Sequence, residues 1–131
     1  MRERPTPGRA PWATGFMRRG EIRVASLDPV RGSEANKTRP VVIVSNNGAN
    51  TAAERLGRGV VTVVPVTSNT AMVFPFQTFL PRTDTGLQLD SKCQVEQVRS
   101  IDVVRIGRRI GVVPPALMGD LDEALRLHLS L

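Results

Sequence analysis

The sequence predicts a mainly β fold with helices, of the α+β class: a small, partly open barrel of short strands completed by a C-terminal helix. Three observations predict it. Short apolar, β-branched runs recur between turn-rich breaks, and Val60–Val66 is the purest of them. Helical periods between those runs are too few to supply the crossovers a parallel sheet needs. The final stretch, opened by Pro114-Pro115, changes to helical spacing and keeps it.

Residues 1–16 hold prolines and glycines without periodicity and read as a disordered N-terminal extension, with Trp12 and Phe16 its aromatic side chains. Met17 then begins the domain, 17–131. Glu21–Leu27 alternates as a strand, and a polar loop, Asp28–Thr38, follows. Arg39-Pro40 leads into Val41–Ser45, an apolar, β-branched run that reads as a buried strand. Asn47–Leu56 reads as a short helix, with Gly48 its weak point. Strands are further expected over Val60–Val66, Phe74–Leu80, Ser91–Arg99 and Arg108–Val113. In the terminal helix Leu117, Leu121, Ala124, Leu125 and either His128 or Leu129 share one stripe. Asp122 and Glu123 beside Arg126 read as its solvated face.

Composition narrows the function. With 131 residues, 40% hydrophobic and 23% charged, the chain suits one folded domain rather than disorder. A formal charge of +6, much of it arginine, favours an anionic partner, nucleic acid before acidic protein. The single cysteine, Cys93, excludes an intramolecular disulfide and reads as a buried structural thiol. No apolar run is long enough to span a bilayer and no signal-peptide core is visible, so a cytoplasmic protein is expected. No His, Asp and Glu residues have metal-ligand spacing, and Gly57-Arg58-Gly59 precedes a strand rather than a helix, unlike a phosphate loop.

Two strand ends carry polar groups suited to an anion. Pro40 fixes its own φ and biases Arg39 toward an extended backbone, so the guanidinium leaves a stiff point. Thr67-Ser68-Asn69 closes the Val60–Val66 run. Read from the residues alone, Arg39 is equally a surface arginine before a strand, and Thr67 an ordinary strand-end threonine capping a turn. Glu34, in the preceding loop, orients Arg39, accepts a proton, or is simply solvated. The one histidine, His128, excludes a two-histidine acid–base mechanism within a subunit, and its place near a helix C-terminus favours a structural role.

Arg19-Gly20-Glu21-Ile22, the Asp28–Glu34 segment D-P-V-R-G-S-E, R-P-V-V-I-V-S-N at Arg39–Asn46 and V-P-V-T-S-N at Val64–Asn69 together resemble the MazF/PemK family of toxin endoribonucleases. Thr83–Leu87, V-E-Q-V-R-S-I at Val95–Ile101 and the amphipathic tail agree, so the resemblance runs from about Arg18 to Leu131. It implies an SH3-like, PemK-type barrel. It also implies a sequence-specific endoribonuclease that needs neither metal nor ribosome and cleaves single-stranded RNA (messenger, transfer or ribosomal) through 2′-OH attack. Arg39, Thr67 and Glu34 fall on family positions that serve or affect catalysis. A homodimer with RNA in a basic groove across the interface is implied, as is a cognate MazE-like antitoxin whose acidic segment blocks that groove. The Asp28–Thr38 and Ser68–Val73 loops are the expected moving parts.

The chain departs from one family pattern. Gln94 and Glu96 stand where some members have a catalytic arginine and aspartate, which favours the Arg39/Thr67 arrangement. Ser68, Asn69, Gln94, Glu96 and Gln97 are then candidates for RNA contact, amides being able to read base edges. The rival on the same fold is a gyrase-binding toxin of the CcdB group, which depends on a tryptophan near the C-terminus. This chain ends Leu127-His128-Leu129-Ser130-Leu131, with its one tryptophan at Trp12. A third reading is an inactive binding module, and retention of Arg39, Thr67 and Glu34 together argues against it.

Overall fold

The computed structural model describes residues 17–27 and 38–131. The 1–16 arm with Trp12 and Phe16, and most of the Asp28–Thr38 loop including Glu34, lie outside the described residues. Among the described residues, seven strands and three helices follow in order: β1 (Glu21–Ser26), β2 (Thr38–Ile43), α1 (Asn47–Leu56), β3 (Val60–Thr67), β4 (Thr78–Leu80), α2 (Arg82–Thr85), β5 (Ser91–Cys93), β6 (Arg99–Asp102), β7 (Ile106–Val112) and α3 (Pro115–Leu129). All strand pairs are antiparallel, in the order β4-β5-β3-β2-β1-β7, with β6 also on β3. This is the expected α+β class: a curled antiparallel sheet with a C-terminal helix. No helix among the described residues is long and apolar enough to cross a membrane.

The continuous apolar strands are covered on both faces. Val42, Val44, Val64, Val66, Cys93 and Val95 point to one side, where α3 supplies Leu121 and Ala124. Val41, Ile43, Val61 and Val63 point to the other, toward Ala53 of α1, Met17 and Ile101. A period-2 strand whose every residue is apolar needs two such covers. Each fully buried Val or Ile contributes about 1.5–3 kcal/mol.

Local chemistry sets the ends of the helices. Asn46 caps α1, its side chain accepting from the Ala49 N–H at 2.8 Å, and Gly57 ends it at φ 66°. Pro115 opens α3. Of the expected stripe, Leu121 and Ala124 are buried and Leu117 and Leu125 half-buried, while His128 and Leu129 in the last turn are exposed. The polar face divides. Arg126 meets Glu123 at 2.6 Å in solvent, whereas Asp122 pairs with Arg19 at 2.6 Å and ties α3 to the entry of β1.

Two expected strands differ. Phe74–Leu80 contracts to Thr78–Leu80, because Phe74 N–H donates to the Gln77 side chain at 3.1 Å and turns the chain. Ser91–Arg99 is broken by a single 3₁₀ turn, Val95–Gln97, between β5 and β6. The last strand begins at Ile106 rather than Arg108.

Helix α2 docks against β7 at a glycine. A Cβ at Gly111 would stand 2.5 Å from the Thr85 carbonyl oxygen, so no larger residue fits without moving backbone. Gly111→Ala is therefore expected to lower unfolding free energy by about 1–3 kcal/mol. The check is a urea titration, in which the midpoint drops while the slope is kept.

Candidate active site

The register of two strands brings the two strand-end groups together. Strand β2 pairs with β3 as Val41↔Pro65, Val42↔Val64 and Ile43↔Val63. Continued two residues further, the same register sets Arg39 opposite Thr67. The recorded pairs stop at Val41, with Pro40 as the next residue of β2, so the strand ends are free to open into a cleft there.

That cleft has a volume of about 870 Å³ and is lined by Arg39, Thr67, Ser68 and Arg108 at its polar rim. Val24, Pro40, Val66 and Ile110 form an apolar floor, and Leu87, Gln88 and Leu89 line it from the loop after α2. These floor residues extend the sheet face that α3 covers further along. No carboxylate is among the described residues that line the cleft.

The Thr67 hydroxyl oxygen accepts from the Asn69 N–H at 3.2 Å, the turn cap that the residues alone allow. This fixes the oxygen and leaves the O–H free to donate, since a hydroxyl has one donor and two acceptor positions. The Asn69 side-chain oxygen in turn accepts from the Ala71 N–H at 3.3 Å. Lys92, the β5 partner of Thr67, is buried. Its ammonium donates to the Met72 carbonyl at 2.5 Å and lies 5.9 Å from the centre of the Phe74 ring.

The remaining candidates are placed elsewhere. Asn69, Gln94, Glu96 and Gln97 are not among the cleft-lining residues. The Glu96 carboxylate is held by the buried Gln77, whose amide N–H₂ donates to its two oxygens at 3.1 and 3.0 Å. Gln97 is exposed on the 3₁₀ turn. His128 is exposed at the end of α3, away from the cleft. Among the described residues no group of three or more His, Cys, Asp or Glu side chains converges on one point. Sequence reasoning missed Arg108 and Gln88. Strand alternation marks Arg108 and Arg109 as facing opposite ways, but it does not say which of them meets the cleft.

A family model for the PemK-like, MazF-like toxin of type II toxin–antitoxin systems matches residues 18–129. The chain belongs to this toxin family. The PemK/MazF-like chain is 63% identical over 116 residues to a protein of Mycobacterium tuberculosis named endoribonuclease MazF9, covering 88% of this chain and 98% of that one. The solved Mycobacterium tuberculosis toxin MazF-mt6 superposes with a TM-score of 0.67 at 25% identity, over 85% of this chain and 97% of that one. A MazE–MazF crystal structure from Deinococcus radiodurans shares the fold, with a TM-score of 0.68 at 22% identity over 89% and 98%.

Cys93, opposite Val66 beside the site, is fully enclosed, and burial pushes its thiol up from 9.0 to about 12. Its neutral form is the folded form, so the unfolded chain loses this proton first as pH rises. The thiol's contribution is intact below pH 9.0 and is lost on the way to pH 12. The wild type is expected to lose more stability than Cys93→Ala between pH 8 and pH 10.5, as checked by urea unfolding at each pH.

Proposed function

We propose that this toxin is a sequence-specific endoribonuclease that cuts single-stranded RNA, independently of metal and ribosome, by attack of a substrate 2′-OH on the adjacent phosphorus. One observation carries the reading: Arg39 and Thr67, at the ends of adjacent strands, line one open cleft, with no carboxylate among the described residues that line it. A phosphodiester oriented there meets a guanidinium able to hold two of its oxygens and a hydroxyl already set to donate. The 2′-oxygen–phosphorus bond forms, the phosphorus–5′-oxygen bond breaks, and the products are a 2′,3′-cyclic phosphate and a 5′-hydroxyl.

Negative charge on the phosphorane is met by hydrogen-bond donors, the Arg39 guanidinium and the Thr67 hydroxyl. Glu34 is the candidate acceptor of the 2′-OH proton or the group that orients Arg39. Water supplies the proton for the departing oxygen at the open mouth of the cleft. Ser68 adds a donor at the cleft, and Asn69, Gln94, Glu96 and Gln97 are assigned to the flanking nucleotides. The engagement of Glu96 by Gln77 favours Arg39/Thr67 over an acid–base pair on that turn.

The same reading gives a cytoplasmic homodimer with RNA along its groove and an antitoxin whose acidic segment occupies that groove. Its net charge of +6 complements both partners.

In EDTA, the purified protein is expected to cut a long unstructured RNA at discrete sites, leaving 5′-hydroxyls. Arg39→Ala and Thr67→Ala should each lower kcat by about 10²-fold or more, the loss typical for removing a donor to a developing oxyanion. RNA left intact by the wild type, or cutting indifferent to both changes, refutes the mechanism and directs attention to gyrase binding.

A further inference from the structure

We propose that Arg108 is a second phosphate-binding residue, which holds the RNA backbone one or more nucleotides from the cut and sets substrate affinity rather than the chemical step. The proposal rests on the endoribonuclease reading above and extends its site across the sheet.

The pairing of β7 with β1 sets the face of this side chain. Strand β7 pairs with β1 as Arg23↔Arg109 and Ala25↔Ile106, so Gly107 and Arg108 together oppose the single residue Val24. That is a β-bulge; counted from Arg23↔Arg109, Arg108 falls opposite Val24 and shares the face of Val24 and Ile110, and Gly107 is the extra residue. Gly107 allows the tight approach, since a Cβ there would come within 3.1 Å of the Val24 carbonyl oxygen. Further along β7, Gly111 packs against Thr85, so the strand segment carrying Arg108 is held at both sides. The bulge faces the floor that Val24 and Ile110 form, and Arg108 lines the cleft beside them.

Its charge is unmet. Among the described residues, Arg108 has neither an ion-pair nor a hydrogen-bond partner for its side chain, whereas Arg109, its neighbour, is engaged. The aliphatic stem can lie on the apolar floor while the guanidinium stays at the rim, as long cationic side chains commonly do. A guanidinium so placed matches phosphate geometry through its planar fork of donors.

Position separates its role from that of Arg39. Across the sheet the order is Thr67 on β3, Arg39 on β2, then β1, then Arg108 on β7. Thr67 and Arg39 are one strand apart and converge on one phosphate. Arg108 lies two strands beyond Arg39, roughly 10 Å away at the backbone. A single strand crossing from β3 to β7 therefore offers it a neighbouring phosphate, with the apolar floor beneath the sugar or base between.

The test measures binding and turnover separately. Binding of a mixed-sequence 2′-O-methyl oligoribonucleotide, which cannot form the cyclic phosphate, is followed by fluorescence anisotropy across a salt series. Arg108→Ala is compared with Arg58→Ala, which removes an equal charge from the exposed turn between α1 and β3. Arg108→Ala should weaken binding roughly tenfold and reduce the slope of log affinity against log salt by about 0.7, one single-strand phosphate contact. Arg58→Ala should shift the slope by much less. On cleavable RNA, Arg108→Ala should raise KM about tenfold and lower kcat by less than threefold, with Arg108→Lys recovering part of the KM.

An unchanged salt slope, a slope change no larger than that of Arg58→Ala, or a loss confined to kcat overturns the proposal. Thermal unfolding of each variant checks that the fold is intact. Wild-type protein that binds the oligonucleotide but cuts no RNA sinks the endoribonuclease reading instead, and the binding comparison still decides the role of Arg108.

Discussion

One missing hydrogen-bond donor organises much of this molecule. Pro65 lies inside β3, the strand that pairs with β2 on one edge and with β5 and β6 on the other. The Pro65 carbonyl accepts from the Gln94 N–H at 2.8 Å, so it faces the β5–β6 edge. A strand residue directs its N–H and C=O to the same edge, so the donor that proline lacks is missing from that edge too. The neighbouring strand cannot continue past it in regular register. Pairing changes from Val66↔Cys93 to Val63↔Arg99, and the three additional residues form the Val95–Gln97 turn.

The consequences reach the cleft wall. The turn buries Val95 against α3's face of the sheet and presents Glu96 to Gln77. Gln77 also accepts from the Phe74 N–H, so the break in one strand holds the loop that leaves Thr67. Lys92 fastens the same loop at Met72. Thr67 is thus the last residue of a strand fixed on both edges, and the segment beyond it is bonded at Asn69, Ala71, Met72 and Phe74. Such support matters because a donor stabilises a developing charge only if it is already in place when the charge appears.

Much of this was legible from residues, and the illegible parts share a cause. Strand β3 and helix α1 carry local signals, β-branched continuity in one and an Asn cap with a C-terminal glycine in the other, and both form where expected. Arg39 and Thr67 stood out because each flanks an apolar run, although only the fold brings both to one cleft. The break at Val95–Gln97 left a faint trace: Cys93 and Val95 keep one phase while Val98 is out of step. Its cause, Pro65, lies some thirty residues upstream. Arg108 is hidden for the same reason, since a bulge is a property of two paired strands and its partner Val24 is distant in sequence. His128 failed differently. Helical periodicity places it on the stripe, but only the extent of the sheet decides which turns of that stripe are covered.

On the proposed function, the donor-rich lining also explains how one cleft would serve two opposed partners. Arg39, Arg108 and the Thr67 hydroxyl line a cavity that has no carboxylate among the described residues lining it, so its described surface presents hydrogen-bond donors to solvent. Any ligand that engages those donors has to be rich in anionic oxygens. Phosphate and carboxylate meet a guanidinium with the same two-oxygen geometry, and the site has little means of telling them apart by charge alone. On the proposed function, inhibition by an acidic antitoxin segment therefore needs no second site: the features that bind the RNA backbone also bind its mimic. What separates substrate from inhibitor is the 2′-hydroxyl beside the phosphorus, which an acidic peptide cannot supply.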